Sequence, residues 1–275
     1  MEEYIKEFLK NNANLLKKNN LKELYEKLKD NFYIVHNLTS FLESNRISPL
    51  YYMDIVPAFY KYRDKIIKEM AIPNHIKEID GYAFSITPIE SIKISDSVNK
   101  IKAKAFSNCE ELIEVIMPAK VKVYNNAFEG CKSLKSINFT DPEYIDNCVF
   151  YGCINLEHID ILDTIKWIGN YAFYGCEKLS DIKIPNHISS IGRHAFYLCK
   201  SLESISIPDS VTNIGDYAFA ECKNLKYLKI SDNLKFIGRN FAEGSNLKYI
   251  EYKGNYFNNV NKFIKYAVKN KVAII

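Results

Sequence analysis

The stretch that decides the fold is residues 191–208, IGRHAFYLCKSLESISIP, because the same phrase returns at 214–230 as IGDYAFAECKNLKYLKI. Both copies hold an Ala-Phe pair, a Cys three residues after the Phe, and an ending of alternating apolar residues. A fixed period of this kind indicates a repeat architecture in which each copy is one structural unit. The period is 22 or 23 residues over eight copies, with Ala-Phe at 83/84, 105/106, 127/128, 172/173, 195/196 and 218/219, Val-Phe at 149/150, and a degenerate Asn-Phe-Ala at 240–242.

Each copy ends in the apolar spacing of a β-strand. Leu202, Ile205 and Ile207 show the alternation that places one side chain inward and the next outward. Pro208 then ends the strand and begins a turn. One such coil cannot bury its own apolar edge, whereas stacked coils share a continuous core. At about 4.8 Å per rung, eight rungs predict a slab roughly 34 Å long with one parallel sheet face.

The repeated phrase resembles the BspA-type leucine-rich repeats over about Met70 to Tyr252. The resemblance implies a curved solenoid with a parallel sheet on one face, and it implies no particular ligand. Many members of that family are surface proteins that carry export signals. The start of this chain, MEEY at 1–4, lacks the basic and apolar segments of such a signal, and we therefore expect a cytoplasmic protein.

Composition narrows the class of protein further. The chain is 47% hydrophobic and 25% charged, which is ordinary for a folded globular protein. No run approaches the roughly 20 apolar residues of a membrane helix, so no membrane partner is expected. A net charge of +4 does not by itself indicate nucleic acid, for which a clustered basic stripe is typical.

The two ends of the chain do not repeat. Residues 1–69 show helical spacing and predict a helical N-terminal cap or module. Residues 253–275 predict a C-terminal capping helix, because an apolar stripe follows helical spacing there. With the solenoid at 70–252, the fold class is α+β. The predicted apolar stripe consists of Val260, Phe263, Ile264, Ala267 and Val268.

Six of the seven cysteines occupy one slot of the repeat, at 109, 131, 153, 176, 199 and 222. A spacing of 22 or 23 residues lacks the paired C-x-x-C of zinc sites, so we predict no metal and no cofactor. We interpret these cysteines as small buried hydrophobic residues. Cys148 lies in another slot, and we expect it to be exposed.

Outward strand positions are the candidate binding residues, because they vary while the framework repeats. Tyr227 and Tyr249 fall on adjacent rungs, and tyrosine is favoured at binding hot spots. Lys229 and Glu251 flank them. A second polar cluster follows from the same columns and consists of His158, Asp160 and Asp181.

Three functions follow from these features. The first is a non-catalytic scaffold that recognises a protein partner through the sheet face, with a phage or bacterial inhibitor that blocks its target sterically as its finer form. The second is a nucleic-acid-associated protein that uses basic helices at both ends. The third is an enzyme built on His158, Asp160 and Asp181, which we disfavour because a flat sheet lacks an enclosed pocket. Common nucleotide-binding and hydrolase motifs are absent from the sequence.

Overall fold

The computed structural model describes residues 69–72, 74, 76–138 and 143–274. The helices predicted within residues 1–69 lie outside the described residues. Residues Met70–Ile275 form one compact unit. In chain order its elements are β1 (Glu69–Ala71), β2 (Glu78–Ile79), β3 (Ser91–Lys93), β4 (Lys100–Ile101), β5 (Glu114–Ile116), β6 (Lys122–Val123), β7 (Ser136–Asn138), β8 (His158–Asp160), β9 (Trp167–Ile168), β10 (Ser190–Ile191), β11 (Ser204–Ser206), β12 (Asn213–Ile214), β13 (Tyr227–Lys229), β14 (Phe236–Ile237), β15 (Tyr249–Tyr252), β16 (Asn255–Phe257), α1 (Val260–Lys269) and β17 (Ala273–Ile274).

The strands form two parallel stacks, which confirms the predicted solenoid. The longer strands form the front sheet, whose hydrogen-bonded groups are β1-β3-β5, β7-β8 and β11-β13-β15-β16. An isolated bridge joins His158, the first residue of β8, to Asp181, which lies in the coil between β8 and β11. The two-residue strands form the back sheet, in groups β2-β4-β6 and β9-β10-β12-β14-β17. The back sheet was not predicted, because two residues are too few to show alternation.

The core lies between the two sheets, and one buried phenylalanine recurs in it from coil to coil. The rings of this slot belong to Phe84, Phe106, Phe128, Phe150, Phe173, Phe196 and Phe219, whereas Phe241 holds the slot of the repeated Ala in the last coil. The rings of the recurring slot stack from coil to coil, with centroids 4.9 Å apart for Phe84 and Phe106 and 6.0 Å apart for Phe128 and Phe150. The six repeated cysteines are buried beside them, as predicted. Cys148 is half-buried rather than exposed, because the half-buried Asn126 and Tyr171 hold its slot in the neighbouring coils.

The C-terminal segment covers the end of the solenoid with more than the predicted helix. A two-residue loop, Lys253 and Gly254, has positive φ at both positions and turns the chain back into β16, which pairs antiparallel with β15. Helix α1 follows, with the Asn259 side chain accepting a hydrogen bond from the Lys262 N–H at 2.9 Å. Strand β17 then pairs parallel with β14. Each sheet therefore gains one closing strand.

The apolar stripe of α1 is narrower than the sequence predicted. Phe263 and Ala267 are buried, and Val260 and Ile264 are half-buried. Val268 is 49% exposed, because it lies beyond the edge of the surface that the helix covers. The helix contacts β15 and β16 through its buried side chains.

Candidate functional site

The outward positions of the front sheet form two columns that face solvent. In β8, His158 and Asp160 are exposed while Ile159 is buried. The same exposed-buried-exposed pattern holds in β5, β7 and β11. The predicted orientation of these columns is therefore confirmed. The first column is Ser91, Glu114, Ser136, His158, Asp181, Ser204, Tyr227 and Tyr249; the second is Lys93, Ile116, Asn138, Asp160, Lys183, Ser206, Lys229 and Glu251.

The last two rungs carry a connected group that we call the tyrosine cluster: Tyr227, Lys229, Tyr249, Glu251 and Tyr256. Tyr227 pairs with Tyr249 across the strands, and Lys229 pairs with Glu251. The Tyr227 hydroxyl donates a hydrogen bond to the Glu251 carboxylate. Nζ of Lys229 lies 3.5 Å from Oε1 of the same carboxylate. The structure therefore brings the four residues predicted from the sequence into one group.

The hydrogen bond holds Tyr227 in position and stabilises its protonated form. The hydrogen bond to Glu251, together with partial burial, raises the pKa of Tyr227 to about 12. The phenol therefore stays protonated, and remains a donor, to a higher pH than an isolated tyrosine does. The Tyr227 side chain reaches from the first column of β13 to Glu251 in the second column of β15. Tyr249, by contrast, is 59% exposed.

Tyr256 is a member that the sequence argument missed. In β16 it pairs with Glu251, so it lies on the same face, and it is 68% exposed. Helical spacing predicts a capping helix over residues 253–275, whereas residues Asn255–Phe257 form β16 before the helix begins. The signal that the sequence offers is Gly254, because glycine accepts the positive φ of a two-residue hairpin turn, whereas Lys253 is not a residue that such turns favour.

The second predicted cluster is only partly connected. His158 Nε2 and Asp160 Oδ1 are 3.0 Å apart, with both side chains more than half exposed. Asp181 lies one coil further along and pairs with His158 through an isolated bridge. Within the described residues, no group of three His, Cys, Asp or Glu side chains is placed to hold a metal ion.

Between the two clusters the front sheet has an open depression of about 920 Å³. We call it the saddle, defined by Asp181, Lys183, Ser204, Ser206, Tyr227 and Lys229. The short side chains of Ser204 and Ser206 form its floor. Larger side chains of the coils before and after β11 form its two walls. The turn residues Asn186, Pro208, Asp209 and Ser210 line one side.

Comparison with known families identifies the repeat. A model described as the BspA type leucine rich repeat region matches residues 56–157 and 143–274, with six copies. The chain belongs to the BspA-type leucine-rich-repeat family. No curated protein sequence matches this BspA-type protein. No helix among its described residues is long and apolar enough to cross a membrane.

Several solved structures are similar to this BspA-type protein. A leucine-rich repeat protein from Bacteroides ovatus is 29% identical, with 64% of this chain and 43% of that chain covered and a TM-score of 0.46. The T. pallidum leucine-rich repeat protein is 23% identical, with 75% of this chain and 84% of that chain covered and a TM-score of 0.45. The pneumococcal vaccine antigen PcpA is 19% identical, with 68% of this chain and 61% of that chain covered and a TM-score of 0.50, which shows a likeness of fold. The chain thus spans less than half of the Bacteroides ovatus protein.

Proposed function

We propose that this protein is a non-catalytic scaffold that binds a protein partner through its front sheet. The observation that carries the proposal is the contrast between the two sides of each front strand. Inward positions repeat buried apolar residues, mostly Ile, whereas the outward columns differ in residue type from coil to coil. A variable exposed surface on an invariant frame is the arrangement that extended repeat proteins use for binding.

The tyrosine cluster is the part of this surface best suited to supply binding energy. Tyrosines offer a large contact area at a low cost in side-chain entropy, and they are enriched at hot spots. Tyr249 and Tyr256 are exposed, and their strand neighbours Tyr227 and Glu251 are held in place by the hydrogen bond between them. A surface that is ordered before it binds loses less entropy on association.

The test compares variants on the two opposite sheets. The double variant Y249A/Y256A removes the two exposed rings of the front sheet. The control F236A removes a ring that is 39% exposed on the back sheet. The full chain and both variants are immobilised, and proteins retained from an extract of the native host are quantified by mass spectrometry. The affinity of the retained protein is then measured with the purified partner.

We expect a partner that the wild type and F236A retain equally, and whose affinity falls by about tenfold or more in Y249A/Y256A. Melting temperatures should be alike for wild type and the double variant, because neither tyrosine is buried. If every retained protein is indifferent to the two tyrosines, or depends on Phe236 instead, the front sheet is not the binding surface.

Steric inhibition of a bacterial or phage target is the finer form of this proposal and requires the partner's activity to be assayed.

Nucleic-acid binding is a second candidate, and the charge of α1 favours it. The helix holds Lys262, Lys265 and Lys269, all exposed, and no acidic residue. Such binding should weaken steeply as salt increases, because phosphate contacts release counterions. A gel shift at low salt that shows no complex with DNA or RNA would eliminate this candidate.

A further inference from the structure

The floor of the saddle consists of hydrogen-bonding groups without partners. Ser204 and Ser206 are exposed, and within the described part of the chain their hydroxyls make no side-chain hydrogen bond. Lys183, on one wall, is likewise exposed and forms no ion pair with any described residue. The Ser210 hydroxyl at the margin is buried and has no hydrogen-bond partner among the described residues. The saddle therefore offers several donors to an incoming group.

Three residues of the saddle form a row in the second column, and two of them, Lys183 and Ser206, are among these unpartnered groups. Lys183, Ser206 and Lys229 occupy equivalent positions in three successive coils, and Ser206 pairs directly with Lys229. Successive coils are about 4.8 Å apart, so a group placed over Ser206 lies within reach of both lysine side chains. Ser206 is the short member between two long ones, which leaves the space for such a group.

The negative charges around the saddle offset this row only in part, because none of them forms an ion pair with Lys183 among the described residues. Asp209 Oδ1 accepts a hydrogen bond from the Asp232 N–H at 2.8 Å, which holds this carboxylate at the turn. Glu251 accepts from Tyr227 and lies near Lys229 at 3.5 Å, so it shares only one of the two lysines. Asp181, two residues before Lys183 on the same outward face, also lines the saddle and offsets part of its positive charge. Lys183 itself forms no ion pair with any described residue, although Asp160 holds the preceding position of its column.

From this pattern we infer that the saddle receives an acidic side chain, Asp or Glu, of the partner protein, with its carboxylate over Ser206 and between Lys183 and Lys229. The inference rests on the proposed function and specifies the chemistry of the partner. Charge complementarity at an interface selects partners and fixes their register. Asp181 would oppose the same carboxylate, and its position limits how far along the first column an acidic segment can extend.

The experiment measures the binding of a fluorescein-labelled peptide by fluorescence anisotropy in low salt. The probe is an eight-residue peptide of alternating Ser and Glu, and its counterpart replaces each Glu with Gln. The full chain is compared with K183Q, D181N and S206I. The matched control is K93Q, which removes an exposed lysine of the same column at the opposite end of the sheet. Ile116 is 49% exposed in that column, so an outward isoleucine is compatible with the strand.

We expect the Glu peptide to bind and the Gln peptide not to bind. K183Q should weaken binding by about two- to fivefold, the range of an exposed ion pair, and D181N should strengthen it by a similar factor. S206I should remove binding by filling the saddle, and K93Q should change nothing. Equal binding of both peptides, equal effects of K183Q and K93Q, or the reverse signs for K183Q and D181N would each overturn the inference. If the peptide fails while capture still depends on Tyr249 and Tyr256, the proposed function stands without this site.

Discussion

The repeated cysteine joins each coil to the one before it. Its thiol is buried and donates a hydrogen bond to the backbone carbonyl of the phenylalanine in the preceding coil. Cys176 Sγ, for example, donates to Phe150 O at 3.3 Å. The same contact recurs from Cys109 to Cys222. A residue in this slot must be small and apolar and must also donate. Cysteine meets all three requirements, which explains its recurrence better than size alone.

Burial should make these thiols unreactive. It raises the pKa of the Cys222 thiol to about 12 and places that of Cys176 well above its usual value, because the thiolate loses its hydration. With a disulfide reagent at pH 8, we expect at most one of the seven thiols to react in the folded protein and all seven after denaturation. The half-buried Cys148 is the one that should react, slowly, since burial also raises its pKa.

The variant C148S serves as the control for this measurement, because it should abolish the native reaction and leave the unfolded total lower by one. Rapid reaction of two or more thiols in the folded wild-type protein would contradict the packing described above.

The residue before each Ala-Phe pair adopts a backbone conformation that the sequence does not reveal. Here φ lies between 53° and 62°, although the side chains include Tyr, Lys, Cys and His. Positive φ is uncommon for such residues. The N–H of this residue donates to the next coil, as Lys104 does to Asn125 O at 3.1 Å and His194 to Asp216 O at 2.8 Å. The hydrogen bond between coils offsets the conformational cost, and no glycine marks the position.

At the level of the elements, four glycines set how closely successive back strands approach. A Cβ added at Gly215 would lie 2.5 Å from Arg193 N, and one at Gly238 would lie 2.1 Å from Asp216 N. Gly169 and Gly192 face the same restriction. The first four coils hold Asp80, Lys102, Tyr124 and Asp146 in this slot. The repeat is therefore packed more tightly at its back in the C-terminal coils.

Gly215→Ala should consequently destabilise the solenoid. The added methyl group meets backbone atoms of the preceding coil, so two coils must separate, and we expect a loss of about 2 kcal/mol in the free energy of unfolding. Denaturant titration followed by circular dichroism measures this loss. Asp146→Ala is the matched control, because its slot already accommodates a Cβ, and it should cost well under half as much. Equal stabilities of G215A and wild type would show that the coils are not in close contact here.

Periodicity predicted the front strands and their outward columns, because three alternating residues per coil suffice to show orientation. It could not predict the ring contacts on the outer turn, where Tyr171 stacks on His194 at 4.8 Å and His194 on Tyr217 at 4.9 Å. Those residues share a slot with Lys104 and Asn126, so no common residue type marks it. Column position alone predicts four members of the tyrosine cluster, but not Tyr256. The cluster's link through Glu251 depends on side-chain direction, which spacing does not specify.

For the solenoid as a whole, the free energy of unfolding should be close to a sum over coils and their interfaces, because each coil contacts mainly its neighbours. The ends of such a stack are its weak points, since a terminal coil has a neighbour on only one side. At the C-terminal end, β16 and β17 each pair with a strand that would otherwise be an edge, and edge strands promote aggregation. Helix α1 then covers the core, with the Phe263 ring edge-on to Phe241 at 5.9 Å.

This arrangement predicts that a destabilising substitution at the C-terminal end affects only the elements near it. Phe263→Ala removes contacts to Phe241, Tyr252 and Phe257, and it should cost about 3 kcal/mol or more. Hydrogen exchange should accelerate in β15, β16 and α1 while the coils around Phe106 keep their protection. Phe150→Ala, by contrast, interrupts the ring stack between Phe128 and Phe173 and should loosen coils on both sides. The exposed Val268→Ala serves as the helix control. Uniform acceleration in F263A would mean that the solenoid unfolds as one cooperative block, because only then could the loss of one terminal ring be felt equally by every coil.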